Sequence, residues 1–231
     1  MPAEVLQGAS LSVPQAFVID GDILTDRASH ILADGGFVQV PLLIGSNRND
    51  GTSLLQLDIQ ANGAVNSLED FGRIATSTNG GRPLSEDVLR NWWNLYQDEI
   101  DIPSPGGLGT VKADGGPELG AGYGKTTLWL QDNYFAAGRR YSNQVWSDRK
   151  LPSYSYLFDT PTANLRPEVE GATHFMEIPY VFGNKDAVGW GNTPYPEDPD
   201  LRAKHLALAD TMSSMWISFV ATGVPNQHKG Q

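Results

Sequence analysis

The chain has 231 residues, 40% of them hydrophobic, enough to bury one sizeable core and too apolar for a disordered or fibrous protein. With 27 acidic against 16 basic side chains the net charge is -11, which disfavours partnership with nucleic acid or an anionic membrane surface. The absence of cysteine removes disulfides, thiolate metal sites and cysteine nucleophiles. Residues 1–10 carry neither the basic start nor the apolar run of a signal peptide, and no stretch approaches the ~20 apolar residues of a membrane span. The expectation is one domain, or part of one, without stable membrane insertion.

In chain order, residues 17–24 (FVIDGDIL) set β-branched and apolar side chains around an Asp20-Gly21-Asp22 turn, the pattern of a short extended ribbon. A short helix is predicted from near Thr25 to the Gly35-Gly36 pair, which can adopt the left-handed cap conformation. Residues 40–45 (VPLLIG) form a continuous apolar run bounded by a turn, as expected of a strand buried on both faces of a parallel sheet. Helices are predicted to begin at Ser67 and Ser85, the second turning Val88, Leu89, Trp92, Leu95 and Tyr96 toward one face. Eight glycines and three prolines within 101–124 predict a long loop or lid-like excursion. A helix follows from near Thr126 toward Trp146. Residues 153–159 (SYSYLFD) then alternate Tyr154, Tyr156 and Phe158 as a second strand.

The last helix is the most sharply specified, with Asp198 as cap, Pro199 in its first position and Gly223 as its stop. Leu201, His205, Leu208, Met212, Met215 and Phe219 form one stripe along it. Alternating strands and helices without an internal repeat indicate an α/β architecture.

Open α/β sheets place function just beyond the carboxyl ends of their strands. Residues 45–52 (GSNRNDGT) leave the first strand and offer Asp50; its neighbour Asn49 cannot carry charge. The second strand leads into 171–183 (GATHFMEIPYVFG), which brings His174 to the same sheet edge. Glu177 has no second histidine at metal-ligand spacing and reads as a structural, hydrogen-bonding carboxylate, so neither metal nor cofactor is expected. His205 belongs to an apolar stripe and reads as a packed residue; nothing surrounds His30 or His228 to argue from. Residues 120–127 (GAGYGKTT) approach a phosphate-binding loop, but Leu119 stands where its first glycine belongs and no strand leads into it.

Four segments together resemble the type B carboxylesterases, the family of fungal lipases and cholinesterases. FVIDGDIL with Thr25-Asp26 is similar to that family's P-x-x-D-G-x-x-x-x-D stretch, VPLLIGSNRNDGT to its strand and acid loop, and HFMEIPYVFG to its histidine loop. MWISFVATGVPN is similar to its last signature, with Trp216, Gly223, Pro225 and Asn226 in place. The resemblance implies a partial α/β-hydrolase fold without a cofactor, acting on an ester or lipid-like substrate in the intact protein. The resemblance to fungal lipases implies secretion. By position, Asp50 matches the triad acid, usually glutamate in this family, and His174 matches the base toward serine and acid toward the leaving alcohol.

The family's order is nucleophile, acid, histidine, with the serine in a G-x-S-x-G elbow. Only 49 residues precede Asp50, and their nearest approach, Gly8-Ala9-Ser10-Leu11-Ser12, lacks the final glycine and meets Pro14 soon after. The resemblance therefore implies that residues 1–231 are the carboxyl-terminal part of a carboxylesterase type B domain, with the nucleophile-bearing half absent. Such a chain is expected to be inactive alone, and prone to aggregate where its strands lack neighbours. The alternative is a non-catalytic binding protein of the same fold, a course some family members have taken.

Overall fold

The computed structural model describes residues 19–96, 102–103, 110–112 and 114–228. Ser10, the first two residues of the FVIDGDIL segment and much of the glycine-rich stretch lie outside these. The rest of FVIDGDIL is a turn and not the expected ribbon. Asp20 Oδ1 accepts the backbone N–H groups of Asp22, Ile23 and Leu24 at 3.0, 3.0 and 2.9 Å, so the donors a strand ladder would use are already taken.

Helix α1 (Ala28–Asp34) stops on Gly35, whose φ of 82° is the left-handed cap expected there. Strand β1 (Leu42–Asn47) starts two residues later than the apolar run. It pairs in parallel with β4 (Ser153–Phe158), in register from Leu42 opposite Ser153 to Asn47 opposite Phe158. Between these strands come α2 (Asp50–Asn62), α3 (Leu68–Thr78), α4 (Glu86–Leu95), a small antiparallel ribbon of β2 (Ile102–Pro103) and β3 (Thr110–Val111), α5 (Gly116–Leu119), α6 (Tyr123–Gln131) and α7 (Ala137–Asp148). A π-helical segment, Asp132–Ala136, joins α6 to α7 in one continuous helix, longer at both ends than the sequence pattern indicates. After β4 come α8 (Ile178–Val181) and α9 (Pro199–Thr222).

The predicted helix starts are real caps. The Ser67 side chain accepts from Asp70 N–H and Asp70 reciprocates, Ser85 accepts from Val88 N–H, and Asp198 accepts from Leu201 N–H. The buried face of α4 differs from expectation. Leu89, Trp92, Trp93 and Tyr96 pack inward, whereas Leu95 is 71% exposed. Positions i, i+3, i+4 and i+7 form the tighter stripe, and Trp93 has more apolar area to bury than Leu95.

Alternation along β4 sorts the layers. Tyr154 and Tyr156 meet Phe219 and Trp216 of α9, with ring centroids 6.0 and 4.9 Å apart. Ser155 and Ser153 face the other way and bond Arg139 and Asn143 of α7. Helices thus cover both faces of the parallel pair, yet β1 is not buried on both faces as expected: Leu42, Leu43 and Ile44 are half-buried and Val40 is 51% exposed. Among the described residues β1 has one strand neighbour, β4, which leaves its outer edge without a ladder.

Two apolar clusters result. Leu55, Val65, Phe71, Ile74, Tyr123, Trp129 and Leu130 join α2, α3, α4 and α6; Phe158, Ala172, Tyr180, Tyr195, Ala209 and Met212 tie β4 and α8 to α9.

Candidate functional site

Asp50 opens α2, where unsatisfied N–H groups favour a carboxylate. Gly51 lets that helix start press against α6: a Cβ there would lie 2.1 Å from Thr127 O and 2.8 Å from Gln131 N. His174 follows β4, and the two loops run on side by side. Asn49 N–H donates to Ala172 O at 3.0 Å, Ala172 N–H donates to Asn49 Oδ1 at 3.0 Å, and Asn49 bridges Thr173 in parallel. Phe175 has φ 77°, uncommon for a residue with a Cβ, and turns the chain directly after His174.

The strand ends therefore bring the two residues singled out in the sequence together. His174 Nδ1 lies 2.8 Å from Asp50 Oδ1, and Asp50 Oδ2 accepts the Asn47 N–H at 2.7 Å. The Asp50 side chain is 3% exposed and that of His174 47%. Burial pushes the Asp50 carboxyl above its ordinary range; the His174 hydrogen bond and the Asn47 N–H oppose this, while the nearby Glu177 charge adds to it. A carboxylate facing Nδ1 favours the Nδ1–H tautomer, which leaves Nε2 as the proton acceptor. Nε2 has no hydrogen-bond partner among the described residues.

Several supporting groups had no signature in the sequence. Asn47 Nδ2 reaches Thr173 O at 2.7 Å and Glu177 Oε2 at 2.6 Å, so it links the acid loop to the histidine loop and gives Glu177 the structural role expected of it. Thr52 Oγ1 lies 2.7–2.8 Å from Asn49 O, Glu170 O and Thr173 Oγ1. Gln131 Nε2 donates to Asn47 O at 3.0 Å and its Oε1 accepts Gly51 N–H at 3.2 Å. The one available clue was a polar residue beside an apolar run, as in Leu130-Gln131. Burial and the charges of Glu177 and Asp50 push the neighbouring Tyr156 hydroxyl up to about 12.

The other candidates are engaged elsewhere. In 120–127 the backbone N–H groups of Gly120, Gly122 and Tyr123 bond protein carbonyls, Thr127 Oγ1 bonds Gly124 O, and Lys125 lies over the Trp93 ring, so the segment makes no phosphate cradle. His205 is buried in the α9 stripe, 2.8 Å from the Tyr180 hydroxyl. His30 meets Asp26 on the surface and His228 meets Pro225 O. Among the described residues no group of three or more His, Asp or Glu could hold a metal ion, and no helix is long and apolar enough to cross a membrane.

A parallel strand pair lies between helices, with Asp50 and His174 leaving adjacent strand ends, and its likeness to solved carboxylesterase structures makes this a partial α/β-hydrolase fold. The sequence profile of the carboxylesterase family matches residues 3–231, and the chain belongs to that family. It is similar to human neuroligin-2, 27% identical over 220 residues that cover 91% of this chain and 24% of the relative. It is also similar to fumonisin B1 esterase of Sphingopyxis macrogoltabida, 25% identical with 93% of this chain and 34% of the relative covered. In fold it is similar to the crystal structure of Aspergillus niger EstA, at a TM-score of 0.67 and 19% identity, covering 92% of this chain and 36% of that one. The chain thus spans about a quarter to a third of the length of these curated relatives.

Proposed function

We propose that residues 1–231 are the carboxyl-terminal part of a carboxylic ester hydrolase domain, in which Asp50 and His174 are the acid and base of a serine-dependent site. The observation that carries this reading is the 2.8 Å contact between His174 Nδ1 and a buried Asp50 carboxylate, with the imidazole itself partly exposed. His174 Nε2 would take the serine Oγ proton as Oγ bonds the ester carbonyl carbon, then return a proton to the leaving alcohol. Water, activated by the same nitrogen, would release the carboxylic acid and free the serine. Asp50 holds the tautomer and stabilises the imidazolium without itself taking the proton.

The serine is not supplied by a G-x-S-x-G elbow within 1–231. Purified chain should therefore give no His174-dependent hydrolysis of p-nitrophenyl acetate or butyrate, and no labelling by a serine-directed fluorophosphonate. Turnover that His174→Ala abolishes would overturn the claim that the nucleophile comes from elsewhere. The missing elbow also favours a second reading, a non-catalytic interaction protein of the same fold. That reading gains if supplying a nucleophile-bearing segment in trans restores no hydrolysis although the two parts associate.

A further inference from the structure

The geometry points to Gln131 and Phe135, four residues apart on the continuous helix α6–α7, as positioning residues that hold the Asp50–His174 pair in register. This rests on the pair having the acid and base roles proposed above.

Gln131 is 7% exposed and spends both ends of its amide on the acid loop: Nε2 donates to Asn47 O and Oε1 accepts Gly51 N–H. Those two residues bracket Asp50, and Asn47 is also the donor to Asp50 Oδ2. The amide therefore fixes the loop on each side of the carboxylate, so that Oδ1 stays aimed at His174. No other side chain among the described residues hydrogen-bonds the backbone on both sides of Asp50. One turn on, the Phe135 ring sits 5.1 Å from the imidazole at an interplanar angle of 46° and limits its rotation.

The helix is not regular where it carries this second contact. Residues 132–136 are π-helical, closed by Ala137 N–H to Asp132 O, an i to i+5 bond. The wider turn displaces Phe135 from its place on a regular α-helix, a distortion that recurs at functional sites. Gly51 completes the arrangement by letting α2 touch the α6 backbone at Thr127 and Gln131. One helix thereby sets the acid from one turn and the histidine ring from the next.

The test reads the His174 Nδ1–H proton in ¹⁵N-histidine-labelled chain of residues 1–231, well below the unfolding midpoint. In wild type this proton should give a downfield resonance with slow solvent exchange. Asp50→Asn should abolish that protection. Gln131→Met, similar in size but without the amide and its two hydrogen bonds, should speed exchange by at least about fivefold, the equilibrium worth of one net hydrogen bond. Phe135→Leu, at a half-buried position, should speed exchange while leaving the tautomer unaltered. Ile74→Val, on α3, which contributes no hydrogen bond to the Asp50–His174 pair, lowers stability without moving the resonance.

If Asp50→Asn exposes the proton while Gln131→Met and Phe135→Leu leave it protected, the positioning role is overturned and the pair stands. If Ile74→Val speeds exchange as much as Gln131→Met, general loosening explains the effect and the positioning role is overturned. If Asp50→Asn changes nothing, the acid–base reading fails first and this inference fails with it.

Discussion

The helical cluster of α2, α3, α4 and α6 and the sheet-side cluster under α9 are built from similar residues and close very differently. Around Phe71, 1% exposed, the rings of Trp129 and Trp93 lie 5.2 and 5.6 Å away and Leu55 is fully buried, so the helices seal their own interior. On the sheet side Tyr156 meets Trp216, yet Ile217 is 69% and Val220 84% exposed. The difference teaches where order comes from: the centre of the helical cluster is sealed by its own rings, although Leu57 and Leu95 at its margin are exposed, whereas the strands and the outer face of α9 remain partly open. Asp50 belongs to the closed side and His174 to the open one, so the site lies on the seam.

Truncations can break that comparison. Phe71→Ala should cost about 4 kcal/mol in urea unfolding, from lost transfer energy plus an unfilled cavity. Gly51→Ala should cost about 2 kcal/mol, since its Cβ would meet the α6 backbone, which cannot move aside as a side chain would. Ile44→Ala in half-buried β1 should cost about 1 kcal/mol. A loss at Ile44 equal to that at Phe71 would show the sheet side to be as closed as the helical one.

Two pH effects sharpen the comparison further. Burial holds the His205 imidazole below its ordinary range. The folded state therefore binds its proton less readily than the unfolded chain does, and the stability tied to neutral His205 is present above the unfolded value of about 6.5. It is lost as pH falls through the lower folded value. Thermal melts should show an acid-side loss that is smaller in His205→Gln. Asp50 has the opposite sign. Its folded pKa is raised, so its contribution is present below the ordinary aspartate value and declines as pH rises through the folded one. Asp50→Asn should consequently leave the neutral-pH melting temperature unchanged or slightly higher, the smallest effect predicted here.

Sequence reasoning reached the features that have local causes. Ser67, Ser85 and Asp198 cap because their side chains complete a nearby turn, and Gly35 and Gly223 stop helices because they adopt positive φ. The α/β alternation and the convergence of Asp50 and His174 followed from apolar runs that end in polar loops. Contacts between distant segments were out of reach: the Gln131 bridge spans 84 residues to Asn47, and Asn47 spans 130 to Glu177. The turn at Asp20 departs from the expected ribbon: β-branched neighbours suggest extension, while the aspartate oxygen captures three backbone donors.

The most direct measurement of the central claim is the tautomer of His174 in the intact chain, read from its imidazole ¹⁵N shifts above the range where the ring is protonated. The account predicts that Nδ1 carries the proton in wild type and that Asp50→Asn shifts it toward Nε2, because an amide can donate to Nδ1 where the carboxylate only accepts. A wild-type ring protonated mainly on Nε2, or a tautomer indifferent to Asp50→Asn, would contradict it.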